Sequence, residues 1–409
     1  MSQSVRAPPR ASLAIDNLRA VVILLVLSFH SVLAYLRFLP PELPRFDAPP
    51  YLWRAIPIID QQRWLGFDLF CAWQDVFLMS LFFFLSGLFV WTSLARKGSG
   101  PFLRDRMLRL GVPFALVVVF VMPVALYPTY LQTAAASGLA AYWRDWLALP
   151  FWPCGPMWFL WLLLAADCAA AGLHRIAPGL GRSLVHVSSV AAARPIKYTA
   201  FFLIVSALAY VPLALAFDPS AWFDRGPFAF QLSRPLHYAL YFAAGVALGA
   251  GGIERGLIAP NGLLARHWLA LLLTALGLLM LWMGLTGLTM RGGGPSPVGL
   301  RILADLSFVL ACFANCFCVL AIFLRFATTR LPASAELKNN AYGMYLVHYL
   351  FVVWLQFALL AAALPAVLKG VVVFAATLLL SWGTVAVLGR LPSDAQVIGT
   401  GGPRGVAAS

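Results

Sequence analysis

Charge is what this chain has least of. Only 11% of its 409 residues are charged, whereas 62% are hydrophobic and the mean hydropathy is +0.85. A soluble domain is about a quarter charged and less than half apolar, so a water-soluble fold is excluded. No glutamate falls inside any long apolar run. Six cysteines are too few and too scattered for a disulfide framework, and none has zinc-site spacing. Cys71, Cys168, Cys312, Cys316 and Cys318 lie in apolar runs, with Cys154 in an outside loop, and Cys312, Cys316 and Cys318 read as small packing residues. HExxH, GxSxG, a phosphate-binding loop and GxGxxG are all absent. There is no convincing internal repeat and no matched pair of broken helices, which weighs against an inverted-repeat transporter.

Long apolar runs dominate instead. Ten stretches of about 20 residues, the length that crosses the hydrocarbon core, fall near 18–39, 70–92, 110–130, 156–173, 199–217, 235–252, 267–288, 302–324, 341–363 and 370–389. The expected fold is an all-α polytopic transmembrane bundle, with 18–389 as the membrane domain, 1–17 as a polar tail and 390–409 as a disordered tail. The first run has no small-residue cleavage site behind its polar lead, so it reads as a retained helix. The net charge of +14 sits mostly in short loops, which points to membrane topology and not to nucleic acid. With the N-terminus inside, inside segments hold 18 Lys and Arg and outside loops hold 9. That bias places both termini in the cytoplasm. The longest outside loop, PPELPRFDAPPYLWRAIPIIDQQRW, is rich in proline and aromatics and reads as a lid or part of a binding surface.

Against this apolar background a few polar residues stand out. Arg19 and His30 are eleven residues apart in the first run, about three turns and ~16 Å, and return to nearly the same face. A cation at the membrane surface with a base deep above it suits a long ligand with an anionic head and a reactive tip; coenzyme A has that shape. An ionisable residue at such depth marks a polar cavity or a hydrogen bond to a neighbouring helix. FLRDRMLRLGVP places Arg106 and Arg109 at i, i+3, with Arg104 nearby, and reads either as topology and lipid attraction or as a phosphate-binding fork. Asp75, near the outer end of the second run, could orient a histidine, bind a sugar hydroxyl or sit at the interface. Ser86 and Gly87 end the aromatic run FFFLSG, where small residues permit close packing. Trp158 and Trp161 open the fourth run as an aromatic belt or a binding surface. Asp167 and Asp305 lie deep in their apolar runs, and each reads as a buried, hydrogen-bonded carboxylate. Tyr345 and His348 share a face of the ninth run. Two intramembrane histidines without glutamate suit base chemistry better than metal binding. A transporter or flippase running a proton relay through His30, His348, Asp167 and Asp305 is the competing class.

Five motifs occur in a specific order: Arg19 and His30 in the first helix, FFFLSG, RDRMLRLGVP, GPMWFLW and YGMYLVHY. Together, over roughly residues 12–360, they resemble the acyltransferase 3 family of membrane proteins, and the WFL of the fourth run is closer to its glucan biosynthesis protein C type. The resemblance implies a transmembrane O-acyltransferase of the bacterial inner membrane. Such a protein moves an acyl group from cytoplasmic acyl-CoA, a substrate and not a resident cofactor, to a hydroxyl of a glycan or glycolipid beyond the membrane. It implies Arg19, Arg106 and Arg109 as donor-binding residues, with Ser86, Gly87 and Trp158 at recurrent positions beside them. It also implies His30 as base or acyl carrier, with His348 at another recurrent position; Asp75, from its place in the second run, completes the expected catalytic set of His30, His348 and Asp75. Membrane lipid and glycan-synthesis proteins are the implied partners, since no fused hydrolase-like domain accompanies the motifs. Two departures touch the substrates: Trp161, Leu162 and Leu163 stand where the polysaccharide branch carries a glutamate, and Leu78 stands where glucan-type members often carry arginine.

Overall fold

The computed structural model describes residues 10–42, 45–133, 138–291, 296–329 and 332–390, with 332–339 as backbone. Most of the expected tail at 390–409, and the first nine residues, lie outside the described residues. Thirteen helices position the site: α1 Arg10–Val32, α2 Leu65–Gly87, α3 Val90–Lys97, α4 Ser99–Thr133, α5 Leu139–Ala148, α6 Trp158–Ile176, α7 Leu180–Ala193, α8 Pro195–Phe217, α9 Pro235–Ala250, α10 Trp268–Thr289, α11 Val298–Phe326, α12 Pro332–Ala358 and α13 Ala366–Leu388. Among the described residues nine helical segments are long and apolar enough to cross a membrane. The run expected at 235–252 is α9, which has only 16 residues. At 1.5 Å per residue α9 is ~24 Å long, short for a lipid-facing span but sufficient inside protein. Its middle is buried on all sides, from Tyr241 and Phe242 through Ala244 to Gly249.

Helix α1 begins at Arg10, ahead of the expected start at 18, because the polar lead is held: Glu254 accepts from the backbone N–H of Ala11 at 2.7 Å. Arg10 marks the near face of the bundle and the end of α1 the far face. α1 packs against α2, α11, α12 and α13. α8, α10 and α13 show mostly exposed apolar side chains, as lipid-facing helices do. In lipid, helix association rests on packing rather than on the hydrophobic effect, and the α2–α9 contact shows how. Asp75 meets Arg234, Phe84 meets Gly245 and Leu88 meets Gly249, so the two helices run parallel. A Cβ at Gly245 or Gly249 would lie 2.1 or 1.9 Å from a carbonyl oxygen of α2.

Helix α4 carries two π-helical turns, Met107–Gly111 and Val117–Val121. Its prolines lack the N–H that the carbonyl four residues back would accept. Side chains of α12 supply the replacement donors: the Tyr342 hydroxyl bonds the carbonyl of Arg109, four before Pro113, and Trp354 bonds that of Val124, four before Pro128, at 3.0 Å. On the far face, the aromatic loop is fixed by Phe46 stacked on Trp53 at 4.5 Å and by the buried Lys369–Asp60 pair at 2.7 Å. A hairpin absent from the helical reading, β1 Trp222–Arg225 and β2 Phe228–Gln231, turns at Gly226 and Pro227 beside that loop.

Candidate active site

Helices α1 and α12 bring the two intramembrane histidines together. His348 Nε2 lies 3.3 Å from His30 Nδ1, with the ring centroids 5.1 Å apart. Backbone carbonyls fix the tautomers, because a carbonyl can only accept. His348 Nδ1 is 2.6 Å from the Tyr345 carbonyl and His30 Nδ1 is 2.9 Å from that of Val26. Both Nδ1 atoms therefore carry the hydrogen in the neutral rings. His348 Nε2 is then an acceptor, and the His30 Nδ1–H is shared between Val26 and His348. This leaves the lone pair of His30 Nε2, which makes no hydrogen bond among the described residues. The Tyr349 ring closes edge-on at 5.5 Å. Gln356 donates to the carbonyls of His30 at 2.9 Å and Ser31 at 3.2 Å, which satisfies the frayed end of α1 and fixes the backbone beneath the imidazole.

His30 lines a cavity of about 620 Å³. Phe29, Leu78 and Phe82 form its apolar wall, Trp158 and Tyr238 a stacked aromatic wall with centroids 5.9 Å apart, and Gln74 a polar patch. Gln74 is fully buried and its Oε1 has no partner. Gly155 adopts φ +48°, a backbone conformation that favours glycine, and a Cβ there would lie 2.7 Å from the end of Met122 and 3.1 Å from Tyr349. Tyr345 holds the turn by donating to the Pro156 carbonyl at 2.6 Å. The cavity reaches the far face under the aromatic loop and the hairpin, which Arg54 and Asp224 join by an ion pair. Burial pushes the Asp224 carboxyl up and Arg54 opposes that shift. Burial also pushes the Cys154 thiol up to about 12; it is a protonated wall residue and not a thiolate nucleophile.

The three arginines gather separately on the near face and do not line this cavity. Arg19 donates to the Leu85 carbonyl at 2.8 Å, lies 4.5 Å over the Phe89 ring, and is repelled by Arg106 and attracted by Asp16. Arg106 pairs with buried Asp167 at 3.2 Å. Arg109 is exposed. Ser86 is half-buried beside Leu85, and Gly87 lies against the α9 backbone, where a Cβ would be 2.3 Å from the Phe242 carbonyl. Trp158 stands in the His30 cavity, away from the arginines. Asp75 also borders that cavity, but its partner is Arg234, at 2.5 and 2.9 Å, and not a histidine. Asp167 and Asp305 are not brought to the histidine pair, so the four relay candidates do not form one chain. The motifs did not single out Gln74, Arg234, Tyr349 or Gln356; a buried Gln in an apolar helix was the available signal. No cluster of three or more His, Cys, Asp or Glu suited to a metal occurs among the described residues.

A bundle of long apolar helices around an interior cavity lined by His30 defines a multi-pass membrane protein. Residues 12–386 match the acyltransferase 3 family, described as an acyltransferase domain, and the chain belongs to that family. It is a membrane acyltransferase. No curated protein and no solved structure matches the chain.

Proposed function

We propose that the chain is an acyl-CoA-dependent O-acyltransferase of the bacterial inner membrane, with both termini cytoplasmic, that acylates a hydroxyl of an extracytoplasmic glycan or glycolipid. The observation that carries this reading is the His30–His348 pair, with the His30 Nε2 lone pair unengaged in a cavity open to the far face. The near-face arginines supply the complementary half: Arg19, Arg106 and Arg109 hold the CoA phosphates, for which guanidinium forks suit the geometry. The cavity lining stops short of them, so the pantetheine arm has to part the side chains between the arginines and His30.

In the base route, His30 Nε2 takes the proton of the acceptor hydroxyl as its oxygen attacks the thioester carbonyl. The C–S bond breaks and CoA leaves as thiolate, which takes that proton from His30 Nε2 and restores the neutral ring. In the carrier route Nε2 itself displaces CoA as thiolate to give an acyl-imidazolium; the hydroxyl then attacks its carbonyl, the acyl–Nε2 bond breaks, and the hydroxyl proton ends on the thiolate. His348 keeps the reactive nitrogen unprotonated in either route, because it occupies the Nδ1 side. The paired neutral histidines bury no extra charge, which is the low-cost state in a membrane interior.

The test is reconstitution in nanodiscs with acetyl-, succinyl- and longer acyl-CoA. The expected result is that one donor is consumed, His30→Ala binds it without turnover, and Arg106→Ala binds it poorly. A burst of one CoA per protein without acceptor identifies the carrier route. Absence of binding by any acyl-CoA overturns the reading.

A further inference from the structure

A second cavity of about 610 Å³ opens on the far face, between the ends of α8, α10 and α11 and the chain leading into the hairpin. The His30 chemistry does not use it. Two helices supply its lining in register: Trp282, Thr286 and Thr289 from α10, and Arg301, Asp305 and Phe308 from α11. Tyr210 of α8 stacks on Phe308 at 4.4 Å, and Trp282 meets the same ring edge-on at 5.9 Å. Tyr210 and the Arg234 guanidinium, 5.1 Å from its centroid, both cover Phe308, which leaves Trp282 as the aromatic surface beside the hydrogen-bonding groups.

Two of the polar groups are left incomplete. Arg234 is 5% exposed and spends its two terminal nitrogens on Asp75, yet its Nε has no partner. Asp305 is 7% exposed and makes no hydrogen bond among the described residues, although Arg301 attracts it. Arg301 is itself anchored, donating to the carbonyls of Leu215 at 3.1 Å and Ala214 at 3.4 Å at the end of α8. Buried polar groups without partners are uncommon and costly, more so at the edge of a bilayer. Asp218 lies at the mouth, with Ser220 donating to it at 2.7 Å.

The charges select the ligand class. The lining carries Asp75, Asp218 and Asp305 against Arg234 and Arg301. An anion would meet three carboxylates and a cation two guanidiniums. A hydroxyl donates to a carboxylate and accepts from an N–H, so a neutral polyol satisfies both signs. Its C–H face then rests on Trp282. This cavity and the His30 cavity also share Asp75, Ser220 and Gln231, and the Asp75–Arg234 pair lies on their common border.

We infer that the second cavity is a carbohydrate subsite, holding a neutral sugar ring of the acceptor next to the ring whose hydroxyl enters the His30 cavity. The identification as an acceptor subsite rests on the transfer reading above; the binding of sugar does not.

The test uses protein in glycoside-free nanodiscs, with methyl glycosides of glucose, galactose and mannose as probes and saturation-transfer NMR as the readout. At least one glycoside is expected to bind, and Trp282→Ala and Asp305→Asn each to weaken it about tenfold, the scale of one or two lost contacts. Acyl-CoA binding, unchanged in both variants, shows that they are folded; Thr286→Val serves as a milder third. Failure of every glycoside to bind overturns the subsite, as does equal binding in all three variants. Displacement of the glycoside by inorganic phosphate makes it an anion site and also overturns it. Glycoside binding without consumption of any acyl-CoA would sink the transfer reading and leave the subsite standing. Consumption of acyl-CoA with no glycoside bound would do the reverse.

Discussion

In the proposed transfer one nitrogen atom carries most of the chemistry: the tautomers leave His30 Nε2 as the reactive site and His348 as its positioning partner. Replacing His30 with Gln keeps a similar volume but removes the base, and transfer should fall by about 10²–10⁴. His348→Phe leaves the Val26 carbonyl to hold the Nδ1–H at 2.9 Å. A smaller loss is expected there, confined to kcat with the donor KM unchanged; equal loss in both variants would make His348 a reacting group. The pair also marks the limit of what residues reveal in sequence. Each histidine is visible as an ionisable group in an apolar run. Their meeting across 318 positions depends on α1 lying against α12, which no local pattern encodes. Asp75 shows the same limit: its depth was readable, but not its partner Arg234, which looks in sequence like an ordinary loop cation.

Arg106 and Asp167 raise a second question at this scale. Removing one member of a buried pair leaves the other charge uncompensated, which costs about 3–5 kcal/mol when both are fully buried. Arg106 is a quarter exposed, so solvent screens part of that cost. Arg106→Ala alone therefore mixes lost stability with lost donor binding. In the double variant Arg106→Ala/Asp167→Asn the thermal midpoint is expected to recover towards wild type while acyl-CoA binding stays weak. Recovery of both would show that Arg106 serves the fold and not the donor.

Among the elements, α9 is where composition and geometry agree most closely. Its Ala- and Gly-rich sequence makes a poor lipid-facing span but a good close-packing helix, because glycine lets the backbones touch. Gly249→Ala places a methyl 1.9 Å from the Leu88 carbonyl, so α2 and α9 must separate. A loss of about 1–3 kcal/mol is expected, the usual cost of overpacking, read as a lower thermal midpoint in nanodiscs. Gly277→Ala on α10 meets nothing within 4 Å and should leave the midpoint unchanged. Equal midpoints in the two variants would remove close approach as the reason for glycine at 249. The same contact bears on Gly87, whose place against the Phe242 carbonyl is a packing position whatever else it does. The hairpin Trp222–Gln231 escaped the helical reading because its alternation spans only four residues a side, too short to stand out in an apolar background.

For the whole molecule, the side on which each terminus lies depends on α9. The nine long helices alone give an odd number of crossings and put the ends of the chain on opposite faces. Counting α9 makes ten, and both ends then share a face. Two observations favour ten. The parallel course of α9 beside α2, from the Asp75–Arg234 pair to Leu88 and Gly249, carries the chain from the far face towards the near one. The hairpin before α9 also packs with the far-face loops, Trp152 donating to the Gly226 carbonyl at 2.8 Å and Arg54 pairing with Asp224, while Glu254 just after α9 accepts from Ala11 at the start of α1. With ten crossings, the 18-to-9 split of Lys and Arg supports the proposal that the near face is cytoplasmic. Reporter fusions after Gly252 and after Arg390 are both expected to give fluorescent GFP and inactive alkaline phosphatase, and a fusion after Ser220 the opposite pair. Active phosphatase after Arg390 would break the ten-crossing topology, and active phosphatase after Gly252 would show that α9 does not cross. Reversal of all three fusions would put the arginine cluster and the mouth of the His30 cavity on sides that the donor and acceptor roles do not allow, so topology is a test of the chemistry as well as of the fold.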